Sequence, residues 1–165
     1  MLAKSQQEIE YKFALLLIDL DDFKTINDSL GHSVGDQFLI NISHHLRQCI
    51  SEKDIVARLG GDEFAIVLTS INNIEEVVTV AKNIQTAINF PMSVYNQELV
   101  TKFSASIGIV INTNEDNFPR YIMVSDLLRD ADIAMYKAKN KGKKSYQIFG
   151  QEMYEDFVNR VNYQH

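Results

Sequence analysis

The run Phe13-Ala14-Leu15-Leu16-Leu17-Ile18 constrains the fold more than any other stretch of this chain. It is apolar throughout and stops at Asp19. A run this short reads as a strand buried on both faces, because an amphipathic helix would interrupt it with polar positions. Such a strand needs partners in a sheet and helices to cover it. The chain supplies both. Leu39, Ile42, Leu46, Cys49 and Ile50 recur at helical spacing between Asp36 and Ile50, and Ile74, Val77, Val78, Ala81, Ile84 and Ile88 mark a second helix that Pro91 ends. Residues 54 to 59 and 63 to 69 read as a hairpin turning at Gly60-Gly61, since both positions tolerate φ > 0. Residues 92 to 97 and 99 to 111 read as another, with Phe103, Ala105, Ile107, Ile109 and Ile111 alternating at strand period. Ser125 is the expected N-cap of a third long helix carrying Leu127, Ala131, Ala134, Met135 and Ala138 inward, and Ser145 to Phe149 is a last short strand. Residues 1 to 10 read as the end of a helix, residues 22 to 35 as a short helix and loop, and residues 112 to 120 as a polar loop. The order predicts an α+β fold: a ferredoxin-like core with a mostly antiparallel sheet and helices packed over it.

With 165 residues, 45% of them hydrophobic and 23% charged, the chain suits one domain over residues 1–165. A domain of this size buries roughly 70% of its unfolded surface and needs no metal or disulfide to fold. The lone Cys49 excludes an internal disulfide and reads as a small core residue. No apolar run reaches the ~20 residues of a membrane span, and the polar start is no signal peptide, so a cytosolic domain is expected, with a membrane-anchored parent also compatible. The net charge of −6 argues against general nucleic-acid binding. An acidic chain can still bind a polyphosphate through metal ions and a local basic cluster.

Four groups of residues carry candidate chemistry. Asp19, Asp21 and Asp22 at the end of the first strand can meet Asp62 and Glu63 at the hairpin tip, as hard-oxygen ligands for Mg²⁺ or as solvated turn residues. Two such ions would clamp the attacking and leaving oxygens of a phosphoryl transfer. Asp22-Phe23-Lys24 opens a short helix whose free N–H groups can hold phosphate, with Lys24 adding charge or merely exposed. Asn27 and Asp36 can read the edge of guanine, and Asp36 is equally suited to a helix N-cap. Lys137, Lys139, Lys141, Lys143 and Lys144 crowd a helix C-terminus, a favourable place for cations, or contact β- and γ-phosphates. His44 and His45 point apart on a helix, and a structural hydrogen bond is expected for His32.

Together these residues resemble the GGDEF family of diguanylate cyclases. Arg58-Leu59-Gly60-Gly61-Asp62-Glu63-Phe64 matches its signature, and Ile18-Asp19-Leu20-Asp21-Asp22-Phe23-Lys24 with Asn27-Asp28, Gly31-His32 and Gly35-Asp36 matches its first strand and nucleotide loop. Ser104-Ala105-Ser106-Ile107-Gly108 and the stretch Asp130 to Lys139 match its later strand and last helix, so the likeness covers residues 11 to 150. It implies a fold like the adenylyl cyclase catalytic core, and condensation of two GTP into cyclic dimeric GMP and two pyrophosphates by a transient homodimer. Mg²⁺ or Mn²⁺ would lie on Asp19, Asp62, Glu63 and the carbonyl of Leu20. Asp62 would be the base for the 3′-hydroxyl with Glu63 beside it, and Lys24 would stabilise the transition state. Phe23, Lys24, Lys139 and Lys143 would hold phosphates and Asn27 and Asp36 guanine, with Leu39, Arg58, Gly60 and Gly61 completing the substrate site.

Three departures from the family qualify this expectation. The motif Asp-x-Leu-Thr-Gly-Leu-Pro-Asn-Arg before the first helix is missing, so the chain is expected to be a domain truncated at its N-terminal motif. Ser51-Glu52-Lys53-Asp54 keeps the aspartate of the inhibitory product-binding site but not its arginine, so that site is expected to be degenerate at Ser51 and Asp54. Lys143 stands where the family has Arg, which removes a bidentate phosphate contact. The stretch from Phe90-Pro91 to Gly108, and Phe149 to Met153, look like members fused to an EAL phosphodiesterase domain, with residues 150–165 opening a linker and sensory domains elsewhere. Rival readings are a GTP-binding module that regulates such a phosphodiesterase without turnover, and an interaction domain with no nucleotide.

Overall fold

A computed structural model describes residues 12–89, 92–94, 97–99, 103–113, 121, 123–142 and 144–150. The expected helix end over residues 1–10, Pro91, most of the polar loop, the tail and Lys143 lie outside them. The elements in chain order are β1 (Phe13–Leu20), α1 (Phe23–Leu30), α2 (His32–Gln48), β2 (Ile55–Gly60), β3 (Glu63–Leu68), α3 (Ile74–Ile88), β4 (Met92–Val94), β5 (Gln97–Leu99), β6 (Ala105–Asn112), α4 (Val124–Asn140) and β7 (Ser145–Ile148). Five strands form one sheet in the order β2-β3-β1-β6-β7, and β4 and β5 form a separate ribbon. Only the β6–β7 pairing is parallel, so the sheet is mostly antiparallel as expected.

Strand β1 lies at the centre because both of its faces are apolar. Side chains alternate across a strand, so Ala14, Leu16, Ile18 and Leu20 enter one core with Phe38, Ile42, Ile66, Ile84 and Ile107. Phe13, Leu15 and Leu17 enter the other, with Ala65, Val110, Leu127, Ala134 and Met135. Helices α1, α2 and α3 cover the first face and α4 the second. Where α4 crosses β6, Gly108 makes room: a Cβ there would lie 2.1 Å from the Ala131 carbonyl oxygen and 2.4 Å from the Met135 nitrogen.

Four expectations change. The second hairpin is β4 with β5 alone, while β6 pairs with β1. All eight residues of β6 are buried, and a strand apolar on both faces is satisfied at the sheet centre, not beside a three-residue ribbon. Helix α2 starts at His32, so Gly35 is buried inside it and Asp36 is no N-cap. Met123 occupies the N-cap of α4, and Ser125 falls in its first turn. The first hairpin turns at Gly61-Asp62, because Gly60 still pairs with Glu63.

Candidate active site

Strand parity builds the site. Asp19 continues the series Phe13, Leu15, Leu17 and so faces α4, at the end of β1 where the apolar residues stop. Glu63 is its register partner on β3 and shares the parity of Ala65, so it lies on the same face. Asp62 precedes it at the hairpin tip, and its carbonyl accepts from the Leu20 amide at 3.1 Å, which ties the tip to the end of β1. The tip needs its glycines for conformation, since Gly60 and Gly61 have φ of 148° and 52°. Arg58 braces it by donating from Nε to the Gly61 carbonyl at 3.1 Å. From the opposite layer, the last turn of α4 brings Lys139 into an ion pair with the Asp19 carboxylate.

The electrostatics mark a site crowded with negative charge. Burial raises the Asp19 carboxyl above its usual range; the Lys139 bond opposes this and the Asp62 charge adds to it. Burial also raises Glu63, followed by the charges of Asp132 and Asp19. Burial works against the charge of Lys139, but the bond to Asp19 and the charges of Asp19, Asp62 and Asp21 together outweigh it and leave the ammonium above its ordinary value. Asp132 lies seven residues before Lys139, two helical turns, and so projects from the same side of α4. Asp132 falls within the stretch Asp130 to Lys139 that resembles the family's last helix, and the sequence alone assigned it no role.

A second cluster lies on α1 and α2. The Asn27 Oδ1 is buried and meets no hydrogen-bond donor among the described residues. It rests on Gly35, where a Cβ would come within 1.8 Å of it. An orphaned carbonyl of this kind costs stability unless a ligand donor meets it. Phe23 is buried and stacks on Phe38 with ring centroids 6.0 Å apart, and Leu39 is buried in the same core. Lys24 and Asp36 are exposed. Gly35 is a positioning residue whose role the sequence did not reveal, because it reads as part of the loop before Asp36 and its only signal was the Gly35-Asp36 match to the family.

Other expected site residues serve the fold. Asp21 does not join the acidic group. It is buried and accepts from Ser104 Oγ at 2.6 Å, Ser106 Oγ at 2.8 Å and the Lys144 amide at 3.0 Å. A carboxylate with three donors anchors the β1, β6 and β7 ends together and has little left to offer an ion. Asp22 is the exposed N-cap of α1, in the left-handed region at φ 60°. Of the lysine cluster, Lys139 alone brings its ammonium to a carboxylate among the described residues; Lys141 and Lys144 are exposed. Asp54 is spent on its own loop, accepting from the Ser51 amide at 3.0 Å, Ser51 Oγ at 2.9 Å and the Thr69 amide at 3.0 Å. His32 is exposed at the start of α2. Burial pushes the Cys49 thiol above its usual range, and its Sγ donates to the His45 carbonyl at 3.3 Å, which suits a core residue.

The donor set fits a hard divalent cation. Asp19, Asp62 and Glu63 offer carboxylate oxygens, and the raised Asp19 and Glu63 would both be relieved by a positive ion. Among the described residues, no three acidic, His or Cys side chains are gathered closely enough to hold an ion. Asp19 is turned to Lys139 instead.

The family model described as diguanylate cyclase, GGDEF domain, matches residues 1–145. The diguanylate cyclase TpbB of Pseudomonas aeruginosa is 37% identical over 145 residues, 88% of this chain and 32% of that protein. The bifunctional diguanylate cyclase/cyclic di-GMP phosphodiesterase MucR of the same species is 35% identical over 142 residues, 86% of this chain and 20% of that protein. The chain therefore spans a third or less of these relatives. The crystal structure of the GGDEF domain of TpbB superposes with a TM-score of 0.79 at 35% identity, covering 90% of this chain and 88% of the other. Signature, sheet topology and these likenesses agree: this chain belongs to the GGDEF domain family of diguanylate cyclases.

Proposed function

We propose that this chain is a single catalytic domain that condenses two GTP into cyclic dimeric GMP, with Mg²⁺ or Mn²⁺, in a transient homodimer. The observation that carries this reading is the placement of Asp19, Asp62 and Glu63 near Lys139 at one end of the sheet. Asp19, Asp62, Glu63 and the Leu20 carbonyl would hold the metal, which would supply neutralisation of phosphate charge and activation of the attacking oxygen. In each half-reaction the 3′-oxygen of one nucleotide bonds to the α-phosphorus of the other. The bond from that phosphorus to the β-phosphate oxygen breaks, and pyrophosphate leaves. Asp62, with Glu63 beside it, takes the 3′-hydroxyl proton, and Lys24 faces the charge that develops. Phe23, Lys24, Lys139 and Lys143 flank the phosphates, and Asn27 and Asp36 read guanine. The orphaned Asn27 oxygen supports this, because the guanine amino group supplies the donor it lacks. One site holds one GTP, so two copies must face each other.

A fused EAL domain after residues 150–165, sensory domains elsewhere and a cytosolic location belong to the same proposal; the similarity to the bifunctional diguanylate cyclase/cyclic di-GMP phosphodiesterase MucR supports the fusion. No described helix is long and apolar enough to cross a membrane. Calorimetry of GTP and ATP with and without Mg²⁺ tests the reading. GTP should bind, bind more tightly with Mg²⁺, and exceed ATP by a margin that Asp36→Ala removes. Absence of GTP binding would leave an interaction domain, and binding without product a regulatory module.

A further inference from the structure

We infer that Lys139 is an internal counter-ion that competes with divalent metal for Asp19 and gives it up when nucleotide phosphates offer another anion. This rests on the metal and phosphate reading above. The side chain of Asp19 is 13% exposed and that of Lys139 38%, so the carboxylate is fixed in the sheet end while the lysine reaches in from the rim. Asp19 stands among the negative charges of Asp62 and Glu63, with Asp132 acting on Glu63 from α4. Among the described residues, Lys139 is the cation that contacts this group.

An ammonium and a divalent ion on one carboxylate repel each other, and they repel more strongly in a partly buried site than in water. Metal alone must therefore displace Lys139 from Asp19 and cost it the one carboxylate it contacts among the described residues. A triphosphate changes the balance, because it brings anionic oxygens of its own. The flexible stem of Lys139 can swing from Asp19 to those oxygens with little else disturbed. Metal and nucleotide thereby favour each other's binding, and linkage makes that coupling reciprocal. The device offsets part of the acidic group's charge without metal and makes the metal arrive with its substrate.

Titration of Mn²⁺ alone, followed by the paramagnetic signal of the free ion, tests this on the whole chain. Lys139→Met should bind Mn²⁺ about tenfold more tightly than the wild type, the scale expected for removing one nearby positive charge. Lys139→Gln, which keeps a donor to Asp19 but not the charge, should tighten likewise and serves if the methionine variant does not fold. Lys137→Met removes a charge from the same helix without touching Asp19, and should change affinity less than twofold. Unchanged or weaker binding in both Lys139 variants overturns the inference, and so does equal tightening in Lys137→Met. A parallel titration of the wild type with GTP and Mg²⁺ separates the two layers. If GTP binds while the Lys139 variants leave Mn²⁺ affinity unchanged, the counter-ion role fails and the site reading stands. If neither ligand binds the wild type or the variants, both fail.

Discussion

Gly35 and Asn27 form a unit in which a missing side chain on one residue positions the amide of the other. Gly35→Ala should favour the helix by up to about 1 kcal/mol, and displacing the flexible Asn27 offsets part of that. The fold should hardly change in stability. Affinity for GTP should fall about tenfold, because the displaced amide no longer meets the base. Thermal melts with calorimetry separate the two effects; unchanged GTP affinity would move base recognition away from Asn27. Glu63 makes the opposite trade. Its carboxyl is raised by burial and by Asp132 and Asp19, so ionising it costs more in the folded chain than in the unfolded one. The folded state gains from the neutral form below the usual carboxylate range and loses that gain as pH rises through the raised value. Glu63→Gln should therefore melt higher than the wild type at neutral pH, with the advantage fading once acid protonates Glu63. An advantage that persists at low pH would point to packing instead of charge. Of this cluster, the acidic members were legible in the sequence because the signature and the strand end announce carboxylates. The Lys139–Asp19 pair was not, because 120 residues separate the partners and only the sheet topology joins them.

At the scale of elements, β1 and β3 were readable because continuous or alternating apolar residues fix which faces are buried. The same pattern could not reveal that β6 joins β1, since periodicity fixes a strand's faces and says nothing of its partner. The early start of α2 was hidden for a related reason: Gly31 offers no side chain at the N-cap, and a helix through Gly35 is retained by packing against local propensity. The α4–β6 contact yields a prediction. A Cβ on Gly108 would meet backbone atoms of α4, which cannot rotate away, so Gly108→Ala should cost about 3 kcal/mol, the upper end of ordinary overpacking. Denaturant unfolding measures it, and a loss below about 1 kcal/mol would mean that α4 shifts freely on the sheet. The α2–β2 loop yields another. Asp54 has its oxygens on Ser51 and Thr69, and Arg47 donates to the Asp54 and Glu52 carbonyls, so both side chains are tied to groups of their own loop. Cyclic dimeric GMP titrated into the chain should bind weakly or not at all at this loop. Submicromolar binding lost in Asp54→Ala would show that the loop reopens.

At the scale of the molecule, a sheet with α1, α2 and α3 on one face and α4 on the other delivers acidic and basic groups to one end. On the proposed reading that end presents one nucleotide, and the reaction needs two. The chain fused to a dimerising coiled coil should therefore convert GTP with Mg²⁺ into cyclic dimeric GMP, read by chromatography. Asp62→Ala in the same fusion should lower the rate at least about a hundredfold while the melting temperature stays within a few degrees, since Asp62 sits at a hairpin tip outside both cores. Product from the wild type and none from Asp62→Ala is the result this account predicts. No product from a folded, dimeric, GTP-binding chain, or equal product from both, would contradict it.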